Sequence, residues 1–186
     1  PLFIEGVKTL AFEIAEQLGW TAPGAVLCPV GAGSILLGLY KGFVELHQAG
    51  VIPRLPRLVA VQAQHVSPLY QAFMRGDQEV ARATNPQPTL AEGIALPIPV
   101  RGKALLRALR ESGGTVVAVS EEEIAAGVRH FGRAGFGVEP TSAVVWAGVE
   151  QLAQEEGWTA KEPMVAVLSG HGLKAGAVIS KLLCCT

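Results

Sequence analysis

Short unbroken apolar runs alternate along this chain with segments whose apolar residues recur every three or four positions. The runs are residues 25–30 (Ala-Val-Leu-Cys-Pro-Val), 58–63, 115–119 and 164–168. A run of this length without alternation is the pattern of a strand covered on both faces. Before the first run, Ile4, Val7, Leu10, Ala11, Ile14 and Leu18 fall on one face of a helix expected over 4–18, which Gly19 stops. Further helices are expected over 35–48, ended by Gly50 and Pro53, over 67–75, and over 102–111, ended by Gly113-Gly114. Ser120-Glu121-Glu122-Glu123 has capping-box spacing and opens a helix running to residue 134. Pro140 suits the first helical position of 140–155. A last helix starts at residue 173. Residues 76–101 carry Asn85-Pro86, Pro88, Pro97 and Pro99 and follow no period, so they read as a long excursion or flap.

Strands and helices alternating at this spacing predict an α/β domain, with three layers α/β/α around a mainly parallel sheet. Ligands of such sheets bind in loops beyond the carboxyl ends of the strands. Candidate chemistry is therefore sought after residues 30, 63, 119 and 168.

Composition narrows the class. At 186 residues the chain is expected to form a single domain. Hydrophobic residues at 49%, against 17% charged, exclude a mainly disordered chain and imply an apolar surface that meets a partner. Fifteen Lys and Arg balance sixteen Asp and Glu, leaving no basic excess for nucleic acid. No uninterrupted apolar stretch of about 18 residues argues for a membrane span. Cys28 lies within an apolar run, Cys184 and Cys185 are adjacent, and no Cys-x-x-Cys occurs, which argues against a disulfide framework or zinc clip and for a reducing, cytoplasmic setting. The start at Pro1, already within a helical pattern, is read as an internal cut in a longer polypeptide.

Three segments at the strand ends carry candidate chemistry. Gly31-Ala32-Gly33-Ser34 joins a strand to a helix through small residues, so amide N–H groups and the helix dipole can meet an anion. It is neither a dinucleotide fingerprint nor a P-loop, and a tight turn that binds nothing has the same pattern. Ser169-Gly170-His171-Gly172 places a hydroxyl after the last strand, where Ser169 could equally cap a helix and His171 could simply hold a turn. Glu139 precedes a helix, where a cap is the simpler reading. Glu92 reads as a solvated loop acid. His47, His65 and His130 have no metal-ligand spacing and read as surface or hydrogen-bonded histidines.

In order along the chain, Glu5-Gly6-Val7-Lys8-Thr9-Leu10-Ala11-Phe12-Glu13, Pro29-Val30-Gly31-Ala32-Gly33-Ser34, Thr89-Leu90-Ala91-Glu92-Gly93-Ile94-Ala95, Glu139-Pro140-Thr141-Ser142-Ala143 and Ser169-Gly170-His171-Gly172-Leu173-Lys174 resemble the C-terminal part of threonine synthase, a fold-type II pyridoxal-phosphate enzyme. The resemblance implies pyridoxal 5'-phosphate as cofactor. Its phosphate would lie on Gly31, Ala32, Gly33 and Ser34, although threonine synthases often carry asparagine at the position of Ala32. Ser169 would bond the pyridine nitrogen, and a neutral hydroxyl there leaves that nitrogen unprotonated. Glu139 would be an acid at the cofactor edge or a structural cap. The family's Schiff-base lysine stands in a Ser-Phe-Lys-Asp type motif that this sequence lacks, as it lacks the substrate-carboxylate loop. The expectation is one C-terminal cofactor-binding domain over 1–186, inactive alone, with the lysine in an N-terminal domain outside it. The implied reaction turns O-phosphohomoserine and water into threonine and phosphate. A threonine or serine dehydratase of the same fold is the alternative enzyme, and a binding domain that lost the lysine is the alternative class. Implied partners are an amino-acid substrate and either a second copy of the chain or the missing half.

Overall fold

The computed structural model describes residues 2–154 and 162–184. Four strands form one sheet: β1 (Ala25–Pro29), β2 (Arg57–Ala63), β3 (Thr115–Val119) and β4 (Met164–Ala166). All pairings are parallel and the order is β3-β2-β1-β4. Helices α1 (Leu2–Val7), α2 (Thr9–Gln17), α3 (Ser34–Gln48), α4 (Pro68–Arg75), α5 (Gly102–Glu111), α6 (Glu121–Arg133), α7 (Pro140–Ala153) and α8 (Gly176–Cys184) surround it.

The unbroken apolar runs are explained by burial on both faces. Val26, Cys28, Leu58, Ala60 and Val116 join a core with Leu36, Leu39 and Phe43 of α3 and Leu105, Leu106 and Leu109 of α5. The alternate residues Ala25, Leu27, Val59, Val61, Val117 and Val119 join a second core with Ile124 of α6 and Val144, Val145 and Ala147 of α7. This is the expected three-layer arrangement, with period-two alternation dividing each strand between the two cores. Cys28 is fully buried, and burial pushes its thiol up to about 12, so it packs as a small apolar group and has no nucleophilic character.

The first helix departs from expectation. Residues 4–18 form two helices, with Lys8 between them, and a tighter turn at the join in which the Ala11 amide donates to the Lys8 carbonyl at 3.0 Å. The cause is close backbone packing. A Cβ added at Gly42 of α3 would lie 2.5 Å from the Lys8 carbonyl oxygen, and one at Gly38 would lie 2.6 Å from the Val7 side chain. Charge reinforces the join: Lys8 Nζ is 2.9 Å from Glu5 and 2.8 Å from Glu45, and Lys41 pairs with Glu5. Gly19, at φ +67°, ends α2 as expected.

Other boundaries shift by small amounts. The fourth strand ends at Ala166 instead of 168, although the Val167 amide still reaches the Leu27 carbonyl at 2.9 Å. A 3-10 turn, Gly172–Ala175, precedes α8 where one helix from 173 was expected. The expected end of α7 at 155 lies outside the described residues. The capping box of α6 forms in both directions, Glu123 N–H to Ser120 Oγ at 3.2 Å and Ser120 N–H to the Glu123 carboxylate at 2.7 Å. Residues 76–101 contain only the 3-10 turn Glu92–Ile94. They are nevertheless anchored, with Ala91 and Ile94 buried in the second core and the Leu90 amide donating to Glu121 at 2.7 Å. The excursion is a wall of the domain and not a loose flap.

Replacing Gly42 with leucine should separate α3 from the α1–α2 join and destabilise the fold by about 1–3 kcal/mol, the usual range for overpacking. Denaturant unfolding measures this; a variant as stable as the parent would refute the close-contact account. The Lys41 and Lys8 partners hold the Glu5 carboxyl down from 4.5 to about 2. Its stabilisation is thus complete above the unfolded value and lost as pH falls toward 2. Glu5→Gln should lower stability at neutral pH and flatten the loss between those pH values, with added salt shrinking the difference.

Candidate functional site

The strand order dictates where a site can form. From β1 the chain steps through α3 to β2 and on to β3, then returns across β1 to place β4 on its other side. Right-handed crossovers put helices on opposite faces when the direction of winding reverses. Accordingly α3 and α5 pack on one face, α6 and α7 on the other. The loops leaving β1 and β4 diverge, and a crevice opens between them.

The β1 loop is shaped by glycine. Gly33 holds φ +80° as the N-cap of α3, and a Cβ there would lie 2.3 Å from the Leu105 side chain. A Cβ at Gly31 would approach the Ile94 Cα to 3.0 Å. Among the described residues, no acceptor takes the amides of Gly31, Ala32 or Gly33. The first amides of α3 also lack intrahelical partners, so donors cluster at the positive end of a 15-residue helix. Behind the loop, buried Gln62 donates to the Val30 carbonyl at 3.1 Å and accepts from the Leu69 and Tyr70 amides at 2.9 and 3.1 Å. That side chain pins the end of β1 to the start of α4.

The β4 loop is tied to the start of α7. The Gly170 amide donates to Ser142 Oγ at 2.7 Å, and Ser142 Oγ lies 3.1 Å from both Ser169 Oγ and the Gly170 carbonyl. Ser169 is exposed and its hydroxyl caps nothing; His171 is the cap, its Nδ1 accepting from the Leu173 amide at 3.1 Å. Glu139 occupies the N-cap position of α7 without a side-chain cap bond. Its carboxylate instead pairs with Lys174 at 3.1 Å, which corrects the simple cap reading of that acid. Glu92 is exposed, as expected. The Gly93 amide donates to Thr141 Oγ1 at 3.0 Å and joins the 76–101 wall to the same helix start.

These segments share one cavity of about 270 Å³, lined by Gly31, Ala32, Gly33, Ser34, Gly93, Ile94, Glu139, Thr141, Ser169 and Lys174 among others. All the residues expected from sequence, Gly31, Ala32, Gly33, Ser34, Glu139 and Ser169, therefore come together. Thr141, Ser142 and Lys174 were not anticipated as site residues. The signal available for Ser142 was a hydroxyl three residues into a proline-opened helix, beside the acid that drew attention first. A larger cavity of about 690 Å³, between α1, α3 and α5, shares no lining residue with this one. It holds none of the loop residues after β1 or β4, so volume does not mark the chemically equipped site. The remaining histidines are satisfied elsewhere: His130 stacks on Trp146 at 3.4 Å between ring centroids, His47 meets the Ile52 carbonyl and His65 the Pro88 carbonyl.

A cradle of unpaired amides at a helix N-terminus faces a serine hydroxyl across the crevice, a donor set that fits a phosphorylated heterocycle. The comparisons agree. Residues 1–170 match the family described as pyridoxal-phosphate dependent enzyme, and the chain belongs to that family. Within it the chain is similar to threonine synthases. That of Methanocaldococcus jannaschii is 37% identical over 175 residues, 94% of this chain and 43% of the relative. That of Mycobacterium bovis is 37% identical over 176 residues, 94% of this chain and 46% of the relative. The chain thus spans under half the length of these curated relatives. Among solved structures, a threonine deaminase from T.th. superposes with a TM-score of 0.69 at 28% identity, covering 90% of this chain and 57% of that one. The L-serine ammonia-lyase of Rhizomucor miehei superposes with 0.76 at 19% identity, covering 96% and 56%, and supports the fold alone.

The geometry predicts that two neighbouring substitutions separate. Gly33→Asp should lower the melting temperature, since both its φ and Leu105 oppose a side chain. Ala32→Asp, at an exposed position with ordinary backbone, should melt within a degree or two of the parent. Thermal unfolding of both proteins checks this, and equal melting temperatures would overturn it.

Proposed function

We propose that this chain is the cofactor-holding part of a pyridoxal-phosphate-dependent lyase of threonine synthase type. The observation that carries the reading is the convergence of Gly31–Ser34, Glu139 and Ser169 on one crevice at the reversal of strand order. The amides of Gly31, Ala32 and Gly33 and the first turn of α3 would hold the phosphate. Gly31 and Gly33 allow close approach, and exposed Ala32 offers only its amide. Ser169 would meet the ring nitrogen. Glu139, held by Lys174, would border the ring without adding net charge. When bound, the cofactor supplies an electron sink for bonds at the amino-acid α-carbon.

Similarity to threonine synthases supports O-phosphohomoserine as the substrate of the whole protein, with threonine and phosphate as products. The 28% identity to a threonine deaminase supports a dehydratase as the second reading. A requirement for a phosphorylated substrate distinguishes them. The chain has no lysine in the family's cofactor-bonding motif, so its residues bind and orient and do not move the substrate proton. The exposed apolar residues Leu2, Phe3 and Val100, on the side of α1 and the 76–101 wall, support a face that pairs with a second copy or a complementary half.

Pyridoxine 5'-phosphate, which lacks the aldehyde and cannot label surface lysines, is the appropriate probe. The chain should bind it in competition with inorganic phosphate, and Ala32→Asp should weaken binding by roughly tenfold or more through like charge at the cradle. Binding unaffected by phosphate or by Ala32→Asp would place the ligand elsewhere and sink the reading. The isolated chain should release neither phosphate from O-phosphohomoserine nor ammonia from threonine; turnover of either would overturn the proposed division of labour.

A further inference from the structure

Gln62 lies just past the last pairing of β2 with β1, that of Val61 with Pro29, and is fully buried. Its carboxamide has a single orientation. The amides of Leu69 and Tyr70 donate to its Oε1 at 2.9 and 3.1 Å, and its Nε2 donates to the Val30 carbonyl at 3.1 Å. The backbone groups at either end can play only one role each, donor at α4 and acceptor at Val30, so the amide cannot be turned round. Leu69 and Tyr70 stand in the first turn of α4, whose N-cap Ser67 makes no side-chain cap bond and donates to the Gln64 carbonyl at 3.2 Å instead. Gln62 therefore caps α4 from the neighbouring strand.

The Val30 carbonyl and the Gly31 N–H belong to one peptide unit. That unit is planar and trans, so its C=O and N–H bonds point in opposite directions. Holding the carbonyl on Gln62 turns the Gly31 N–H away from Gln62. Gly31 is buried and lines the cavity of about 270 Å³, and its amide has no acceptor among the described residues. Buried N–H groups are nearly always paired, so this one calls for an acceptor that arrives from the crevice.

We propose that Gln62 is a positioning residue that fixes the Val30–Gly31 peptide with its N–H presented to the anion cradle, and that it passes the pull of the α4 amides on to that donor. This deepens the cofactor reading above and rests on it, since the anion in question is the cofactor phosphate. The Leu69 and Tyr70 amides draw electron density toward Gln62 Oε1, which strengthens Nε2 as a donor to Val30. That bond in turn strengthens the Gly31 N–H as a donor to an anion. The start of α4 thus acts together with the start of α3, although no α4 residue lines the cavity.

The test uses sulfate as the probe, a tetrahedral dianion without ring or aldehyde, and follows the whole 186-residue chain by two-dimensional proton–nitrogen NMR. In the parent, saturating sulfate should move the Gly31 amide proton downfield, and with it the Gln62 carboxamide proton that faces Val30. Gln62→Met removes the donor and the α4 cap without adding charge. Gln62→Glu keeps an acceptor for the α4 amides but removes the donor. Each should weaken sulfate binding roughly fivefold, the worth of one hydrogen bond, and reduce the Gly31 shift at saturation. Added charge alone would weaken only Gln62→Glu, and loss of the cap alone only Gln62→Met, so either split overturns the proposal. Folded variants that both bind as the parent does overturn the role of Gln62 and leave the cradle standing. The parent decides without any substitution: a Gly31 proton that responds while the Gln62 carboxamide stays still overturns the coupling. A Gly31 amide indifferent to saturating sulfate overturns the cradle, and the role of Gln62 with it.

Discussion

The reversal of winding at β1 is the constraint on which the rest of this structure depends. A parallel sheet that grew in one direction only would bring successive loops side by side along one edge, with helices on one face. Here β4 returns to the other side of β1, and the right-handed crossover rule moves α6 and α7 to the opposite face. Both faces of β1 and β2 are then covered, and β3 and the half-buried edge strand β4 contribute to both cores, which is why the strands read as unbroken apolar runs. The same reversal separates the loops after β1 and β4. A two-sided core and a crevice at the strand ends are thus two consequences of one topological event.

Close backbone contact is what lets the helices pack so tightly on so small a sheet. The Lys8 carbonyl sits against Gly42, the Ala143 carbonyl lies 2.5 Å from where a Cβ of Gly127 would be, and the Leu58 carbonyl 2.0 Å from that of Gly114. These are contacts of backbone with backbone, which do not yield to rotamer changes. They tie α1–α2 to α3, α6 to α7, and the turn after α5 to β2. The loops at the strand ends are short extensions of these fixed elements, and their positions follow from them.

The elements were legible from sequence because burial and period agree: both cores are the apolar positions of the runs and helical faces, and the α6 capping box formed as its spacing predicted. The glycine loop and the serine after β4 were legible because strand-end position is a topological property. The break at Lys8 was not, because its cause lies in Gly38 and Gly42, some thirty residues away, and no local signal marks it. The partner of Glu139 was hidden for a related reason. A helix-start acid caps in isolation, but here Lys174 of a distant turn takes the carboxylate. Ser142 was hidden because a buried serine on an apolar helix looks like a core residue until the loop it faces is known.

The buried polar side chains show how the crevice is held. A polar group removed from water is tolerated where its hydrogen bonds are made, so its position reports what it binds. Gln62, Ser67, Ser112, Thr141 and Ser142 are the buried polar residues among those described. Ser67 and Ser112 bond locally or to an adjacent strand, to the Gln64 carbonyl, the Leu109 carbonyl and the Leu58 amide. The other three each tie one wall of the crevice. Gln62 fixes the Val30 carbonyl before the glycine loop, Thr141 the Gly93 amide, and Ser142 both amide and carbonyl of Gly170. Thr141 and Ser142 are consecutive at the start of α7, so one helix end sets two walls relative to each other. A crevice whose loops are held by buried bonds keeps its donors in place before any ligand arrives, which limits the ordering that binding must impose. The geometry of the donors is accordingly a property of the sheet and of α7, and the loops carry it outward to the ligand.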